Sequence, residues 1–239
     1  MPATESFTFK PIGFVESCYK QKFGIPRQPG LVKRATAKLI LEPEFSKQEI
    51  LRGIEQYTHL WIIFVFHESV RQTDKITVRP PRLGGKKKIG VLATRSNFRP
   101  NPIGQSVVCF DGVELRKGQY VLNLSGADLL HETPVLDIKP YIPYADSIPE
   151  ARAGFATQAP EKSYQVLFSE NALQQIAVAT KKLNVDLKAF IEELLAYDPR
   201  PAFYEGKYEK KRFAMYLYDY NLQWELSGHN IYVMEFSSI

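Results

Sequence analysis

Short runs of apolar and β-branched residues separated by polar turns occupy most of the first 140 positions of the chain. Phe7–Val15 and Arg34–Leu41 are rich in such residues, alternate in part with polar ones, and predict strands. Leu60–Phe66 is apolar throughout and predicts a buried central strand. We expect further strands at Ile76–Val78, Ile89–Ala93, Ser106–Leu115, Gln119–Leu124 and Val135–Lys139.

One helix is expected among these strands. Ser46 and Glu49 have the spacing of a capping box, which predicts a helix from Lys47 to about Tyr57. Because a series of short strands leaves unpaired edges unless the sheet closes, we expect residues 1–146 to form a β-barrel domain.

The pattern changes after residues 147–163, which contain Pro, Ala and Ser and predict a linker. Residues 164–239 then predict a smaller α+β domain. Its expected elements are a strand at Tyr164–Phe168, helices at about Ser169–Leu183 and Val185–Tyr197, and a terminal hairpin of Phe213–Leu226 and Asn230–Phe236. The expected fold class is therefore mainly β, with two domains.

Composition narrows the class of protein. The 239 residues are 44% hydrophobic and 24% charged, which is typical of a soluble globular protein. The two cysteines, Cys18 and Cys109, have no metal-binding spacing, so we expect no disulfide framework, no metal site and a reducing cytoplasm. We expect no membrane anchor and no export signal, because the longest apolar run, Leu60–Phe66, is far below the ~20 residues of a span.

Positive charge is concentrated in one stretch. The formal net charge is only +5, but the segment from Arg71 to Arg99 holds nine basic residues and a single acid, Asp74. The triplet Lys86–Lys88 beside two glycines indicates an exposed loop, which either is merely solvated or meets phosphates.

Several common catalytic motifs are absent from the sequence. It contains no GxGxxG, P-loop, HExxH or GxSxG string, and its four histidines are widely spaced. A Rossmann nucleotide site, a zincin and the simplest hydrolases are therefore disfavoured.

Two polar segments remain as candidate sites. Pro100 and Pro102 make Thr94–Gln105 a rigid loop, and it presents Arg95, which suits carboxylate or phosphate, while Asn97 and Asn101 either read polar groups or form turns. The second segment, DLLHETP, lies next to a predicted strand and suits a pocket for an adenine-like ring.

Four motifs together resemble one family. They are KFGIPRQPG (22–30), ATRSNFRPNPIGQS (93–106), GADLLHETPVLDIKPY (126–141) and DPRPAFYEGKY (198–208). In this order they resemble the TsaA-like family, specifically the TrmO type of tRNA methyltransferase. The resemblance implies a β-barrel that binds S-adenosyl-L-methionine, a homodimer that completes the donor site, and methylation of N6 of threonylcarbamoyladenosine next to the anticodon of tRNA.

The resemblance also implies site residues. Arg27 or Arg95 would take the donor's carboxylate, and Glu68 or Asp128 would favour its cationic or ribose groups. The full donor set is Pro26, Arg27, Gln28, His67, Glu68, Arg95, Gln105, Asp128, Leu129, Leu130 and His131. The acceptor set, in residues 164–239, is Asp198, Arg200, Pro201, Tyr204 and Lys207.

Two other functions fit the same sequence. A non-catalytic RNA-binding module would use only the basic stretch, and would have no affinity for S-adenosyl-L-methionine. A methyltransferase acting on a small molecule would have little use for that stretch, and its substrate binding would ignore ionic strength.

Overall fold

The computed structural model of the chain describes residues 6–72, 76–200 and 212–239. In chain order the strands of its first part are β1 (Gly13–Ser17), β2 (Thr36–Leu41), β3 (His59–Val65), β4 (Thr77–Val78), β5 (Ile89–Gly90), β6 (Ile103–Arg116), β7 (Gln119–Ser125) and β8 (Pro134–Pro140). Six of them form an antiparallel sheet in the order β1, β2, β7, β6, β3 and β8. Pairing of Gly13 with Val135 joins the last strand to the first, so the sheet closes into a ring.

The inside of the ring is filled by alternate residues of its strands. Val15, Leu39, Leu60 and Ile62 are almost completely buried there. In β3 the intervening residues Trp61, Ile63 and Val65 are only half-buried, so buried and half-buried side chains alternate along this strand. Its apolar sequence predicts a strand buried on both faces, and this expectation is wrong. The all-apolar run misleads because the half-exposed outer face carries large apolar side chains too.

Two expectations about the early elements are wrong. The strand expected from Phe7 begins only at Gly13. The helix expected over residues 47–57 is a single turn, α1 (Gln48–Leu51), followed by a 3₁₀ turn at Ile54–Gln56. Gly53, with a φ of 89°, separates the two turns because a left-handed residue cannot continue a helix.

Ser46 does not form the expected capping box. Its Oγ instead accepts a hydrogen bond from the backbone N–H of Tyr120, 2.6 Å away, and the α1 N-terminus has no side-chain cap. A tertiary partner therefore outcompetes the local one. The strand expected at Ile89–Ala93 is likewise shortened, since 3₁₀ geometry replaces it from Val91.

The second part of the molecule is an α+β unit, as expected. It contains α3 (Glu170–Leu183) and α4 (Leu187–Ala196), which follow a single-turn helix α2 (Pro143–Asp146). Its four strands, β9 (Gln165–Phe168), β10 (Arg212–Leu217), β11 (Tyr220–Ser227) and β12 (Asn230–Ser238), lie in the order β10, β11, β12, β9. None of the helices in the described residues has the length and apolarity that a membrane crossing requires.

The terminal hairpin is a three-stranded meander. The segment expected as one strand over Phe213–Leu226 turns at Tyr218, whose φ is 54°, and pairs with itself as β10 and β11. Tyr218 lies in the left-handed region without being Gly or Asn, and the adjacent Asp219 is the only common turn residue there.

The long segment between β1 and β2 belongs to the core of the second part. Cys18, Tyr19, Val32 and Ala35 are buried in one cluster with residues of α3, α4 and the four-stranded sheet. The backbone N–H of Tyr218 also donates to the carbonyl of Cys18 at 2.8 Å. The two parts of the chain therefore share a hydrophobic core.

Candidate functional site

A large cleft of about 2040 Å³ lies between the ring and the second part of the molecule. Its walls are formed by four segments from the ring side, 22–32, 64–69, 77–98 and 128–133, and by residues 152–164 and 194–200. Ten of the residues expected from the sequence line it: Pro26, Arg27, Gln28, His67, Glu68, Arg95, Asp128, Leu130, Asp198 and Arg200. The structure therefore brings residues from all four motifs to one place.

Arg95 and Gln28 meet at this cleft. Nη1 of Arg95 donates to Oε1 of Gln28 at 2.6 Å, joining the β1–β2 segment to the rigid loop that the prolines predict. Arg99 stabilises that loop from within, because its Nη1 donates to the carbonyl oxygens of Thr94 and Ser96 at 2.9 and 3.3 Å. Arg99 therefore has a local structural role, whereas Arg95 faces the cleft.

Glu68 lies in a polar cluster on the ring side of the cleft. Nζ of Lys22 lies 3.3 Å from Oε2 of Glu68 and donates to its carbonyl oxygen at 3.0 Å. Ser69, which is 1% exposed, accepts a hydrogen bond from Nδ2 of Asn97 at 2.7 Å. The sequence pattern did not single out Lys22 or Ser69, because both lie far along the chain from their partners.

Asp128 lies at the exit of β7 with one carboxylate oxygen occupied. Ser106, a buried residue of β6, donates from Oγ to Oδ1 of Asp128 at 2.6 Å. Burial raises the pKa of Asp128 to about 6, and the Ser106 hydrogen bond and the Arg95 charge oppose that rise. Ser106 is a third residue that the sequence did not single out, although it ends the motif at 93–106.

The backbone before Asp128 is held in place. The carbonyl of Gly126 accepts a hydrogen bond from the N–H of Gly30 at 2.8 Å, and the N–H of Gly126 donates to the backbone carbonyl of Lys33 at 3.1 Å. Gly126 has a φ of 66°, which favours glycine at this close approach of two loops. The position of the Asp128 carboxyl is therefore well defined.

Three expected donor residues do not line the cleft. Gln105 is exposed on the outer face of β6, opposite Ile63. Leu129 is 1% exposed and belongs to the core of the ring. His131 joins two segments, since its backbone N–H donates to the Tyr19 carbonyl at 2.8 Å and its Nδ1 accepts from the Ser17 N–H at 3.4 Å. Burial lowers the pKa of His131, with the Lys20 charge adding to the effect.

On the opposite wall, Asp198 and Arg200 bind each other. Nε and Nη2 of Arg200 donate to the two carboxylate oxygens of Asp198, each at 2.7 Å. The guanidinium also lies over the rings of Tyr164 and Phe213, with its carbon 5.8 and 5.5 Å from their centroids. Asp198 raises the pKa of Arg200 further above its usual range.

Arg200 is thus fixed within the wall, with only 3% of its surface exposed. Its carbonyl oxygen accepts a hydrogen bond from Nη2 of Arg27 at 3.4 Å, which links the two walls. The other expected acceptor residues, Pro201, Tyr204 and Lys207, lie outside the described residues.

Basic side chains surround the mouth of the cleft. Arg79, Arg82 and Lys88 of the basic stretch line it together with Arg152 from the segment after α2. Lys86 and Lys87 are exposed beyond this lining. Residues 6–72, 76–200 and 212–239 contain no group of three or more His, Cys, Asp or Glu side chains that could hold a metal ion.

Comparison with known proteins decides the family. Residues 14–147 match the tRNA-methyltransferase O N-terminal domain, and residues 161–239 match the TrmO C-terminal domain. The chain belongs to the TrmO family. The resemblance drawn from the four motifs is therefore confirmed, and these matches include the segments that build the cleft.

Relatives of this TrmO-family chain carry informative names. It is 44% identical over 232 residues to the tRNA (adenine(37)-N6)-methyltransferase of Escherichia coli (strain K12), covering 96% of this chain and 98% of that protein. It is 46% identical over 214 residues to a putative S-adenosylmethionine-dependent methyltransferase of Pseudomonas aeruginosa, covering 90% of each chain. The crystal structure of TrmO from Pseudomonas aeruginosa matches with a TM-score of 0.83 at 37% identity, over 99% of this chain and 100% of that one.

Proposed function

We propose that this chain transfers a methyl group from S-adenosyl-L-methionine to N6 of threonylcarbamoyladenosine, next to the anticodon of tRNA. The observation that carries the proposal is the single cleft in which the donor motifs of the ring face the end of α4. The name of the Escherichia coli relative, which is similar over nearly the whole chain, supports the same reaction.

The chemistry of the cleft fits this donor. A sulfonium donor has a carboxylate, a cationic centre and an adenine, and it supplies an electrophilic methyl group when bound. Arg27 and Arg95 line the cleft and suit the carboxylate, while the Glu68 and Asp128 carboxylates suit the cationic or ribose groups. Leu130 offers an apolar surface and backbone groups to the adenine.

The residues of the donor set that lie away from the cleft have indirect roles in this proposal. Leu129 and His131 fix the loop that carries Asp128. Gln105, on the outer face of the ring, would meet a donor only in a partner's cleft, which accords with a homodimer that completes the site. Light scattering of the purified protein tests the dimer.

The acceptor side is assigned to the second part of the chain. We infer a donor-binding TsaA-like β-barrel domain at 1–146, a linker at 147–163 and an acceptor domain at 164–239. Asp198 and Arg200 shape the wall as a bound pair, and Pro201, Tyr204 and Lys207 would contact the nucleoside. Cationic and aromatic groups of this kind bind splayed nucleotides.

The basic mouth of the cleft suits the tRNA backbone. The cleft is lined by Arg79, Arg82, Lys88 and Arg152. We expect these side chains to bind phosphates of the anticodon loop. Replacing Arg82 or Lys88 with Gln lowers tRNA affinity and reduces the salt slope by about 1 each. Lys117→Gln, in the β6–β7 turn away from the cleft, is the matched control and leaves the slope unchanged.

Mass spectrometry of nucleosides tests the reaction directly. tRNA from cells lacking this methylation is incubated with the protein and donor, and a gain of one methyl on threonylcarbamoyladenosine supports the proposal. Absence of donor affinity in calorimetry would instead favour a non-catalytic RNA-binding protein. Salt-independent substrate binding with turnover of a small molecule would favour the other alternative. A cytoplasmic location is part of the proposal, because tRNA is modified there.

A further inference from the structure

Methylation of a ureido-like nitrogen requires removal of its proton. Carbonyl conjugation withdraws the lone pair of N6, so attack on a methyl group is assisted when a base accepts the N–H proton. A useful base lies in the cleft, has a free lone pair and is largely unprotonated near neutral pH.

Most acids along the cleft lack one of these properties. Both oxygens of Asp198 accept hydrogen bonds from Arg200. Glu68 is paired with Lys22 at 3.3 Å. Glu161 also lines the cleft but is exposed to solvent in the segment before β9.

Asp128 differs from these three carboxylates. Ser106 occupies its Oδ1, and no side chain in the described part of the chain donates to its Oδ2. The carboxyl is desolvated, and its backbone follows the Gly126 contact that fixes the loop. Phe64 and Phe66, whose ring centroids lie 5.0 Å apart, add an apolar surface to the same cleft.

We propose that Asp128 is the proton acceptor of the methyl-transfer step, taking the N6 proton of the acceptor nucleoside on its Oδ2; this rests on the proposed function. As the N6–CH₃ bond forms, the N6–H bond breaks and its proton moves to Asp128 and then to solvent. The S–CH₃ bond of the donor breaks with its electron pair remaining on sulfur, so the sulfonium becomes a neutral thioether. Asp128 therefore acts on the reacting nitrogen, beyond a role in holding the donor.

The surroundings of Asp128 define its titration. The pKa of its carboxyl is lowered by Ser106 from β6, by a hydrogen bond to the Asp128 backbone and by Arg95 from the rigid loop, against the larger rise that burial causes. Burial also raises the pKa of the Tyr19 phenol, and the Asp128 charge adds to that rise. With the pKa of Asp128 raised to about 6, the carboxylate form predominates above that pH. Ser106→Ala removes a hydrogen bond to the carboxylate and therefore raises its pKa further.

The test compares Asp128→Asn with Asp111→Asn. Asp111 is a matched control, because its Oδ1 also accepts a serine hydrogen bond, from Ser125 at 3.1 Å, but it lies exposed and away from the cleft. Single-turnover methyl transfer is measured at saturating donor and tRNA, and donor affinity by calorimetry. We expect Asp128→Asn to lower the transfer rate at saturating donor by about 10²-fold or more, in addition to any loss of donor affinity, and Asp111→Asn to change neither.

Two further measurements separate chemistry from structure. The wild-type rate falls below about pH 6, and Ser106→Ala moves that fall to higher pH. Carbon-detected NMR titration of the aspartate carboxyls, which needs no turnover, shows the same shift.

The proposal is overturned by any of three results. One is that Asp128→Asn weakens donor binding but leaves the saturated rate intact, which makes Asp128 a donor-holding residue. Another is that His67→Asn, and not Asp128→Asn, removes the step. The third is a pH profile that Ser106→Ala leaves unmoved. Failure of the wild-type protein to methylate tRNA contradicts the proposed function instead, and nucleoside mass spectrometry of the wild-type reaction detects it independently of the variants.

Discussion

Arg95 and Gln28 form a hydrogen bond of 2.6 Å although 67 residues separate them in the chain. Gln28 comes from the segment that also carries Pro26 and Arg27, and Arg95 comes from the proline-rich loop before β6. Because the side-chain amide holds one guanidinium nitrogen, the remaining donors of Arg95 are directed by this contact. Two of the four family motifs are thereby joined through side chains at the cleft.

Arg95→Ala is expected to weaken donor binding. Losing a charge-assisted hydrogen bond to the donor costs about 1.5–3 kcal/mol, or roughly tenfold or more in Kd. Lys87→Ala is the matched control, because Lys87 is an exposed cation of the basic stretch that does not line the cleft. Calorimetry with S-adenosyl-L-methionine measures both. Equal affinities for the two variants would remove Arg95 from the donor site.

Arg200→Ala is expected to destabilise the protein. Asp198 would lose both of the charge-assisted hydrogen bonds that Arg200 donates in a largely buried setting, and breaking a buried pair typically costs about 3–5 kcal/mol. Arg212→Ala breaks a more exposed pair with Glu225 and costs about 1 kcal/mol or less. Urea unfolding gives both free energies. A small effect of Arg200→Ala would show that water or relaxation readily replaces the pair.

The two cysteines are expected to differ in reactivity. Burial raises the pKa of Cys18 to about 12, so its thiolate is scarce at neutral pH and inaccessible. Cys109 is half-buried, with Sγ 3.3 Å from Nε2 of His59. A disulfide reagent therefore modifies one thiol in the native protein and two after unfolding in denaturant. Cys109→Ser should abolish the native reaction, and a native reaction that persists in this variant would place it at Cys18.

The Asp128 carboxyl is expected to lower stability as pH rises. Its folded-state pKa of about 6 exceeds the ordinary aspartate value, so the native state binds the proton more tightly than the unfolded chain does. Stability from this group is present below about pH 4 and is lost as pH rises through 6. Asp128→Asn should gain about 2–3 kcal/mol relative to wild type between pH 4 and pH 8. Chemical denaturation at both pH values measures the difference, and a constant difference would show that the carboxyl is well solvated.

The local pattern of apolar and polar residues predicted many helices and strands correctly. It failed where a residue distant in the sequence makes the deciding contact. The strand expected at Arg34–Leu41 is observed as Thr36–Leu41, because alternation there matches a sheet with one buried face. Ser46 has a correct local signal for a helix cap but binds Tyr120 of β7 instead. The turn at Tyr218 has no Gly, Pro or Asn to mark it, and Tyr218 packs against the core of the second part, which no local pattern shows.

In the candidate site, too, the motifs predicted some residues and missed those whose contacts come from distant parts of the chain. Motif resemblance placed Arg27, Arg95 and Asp128 together, and the structure brings all three to one cleft. It assigned no role to Ser106 or Lys22, although both lie within the motifs, because their roles depend on strand pairing and on contacts between loops. Arg200 was expected to face a ligand, whereas its burial depends on Tyr164 and Phe213, residues that no local pattern relates to it.

Chimeras between this protein and its relatives are constrained by the shared core. Four residues of the N-terminal half are buried among residues of the second part: Cys18, Tyr19, Val32 and Ala35. A chimera joined in the segment after α2 would place a foreign surface against these four side chains. The loop that carries Pro26 and Arg27 lies between them, so a poor fit at the junction of cores would displace residues of the cleft. A workable exchange therefore transfers residues 18–35 together with the C-terminal part, although they lie in the N-terminal half of the sequence.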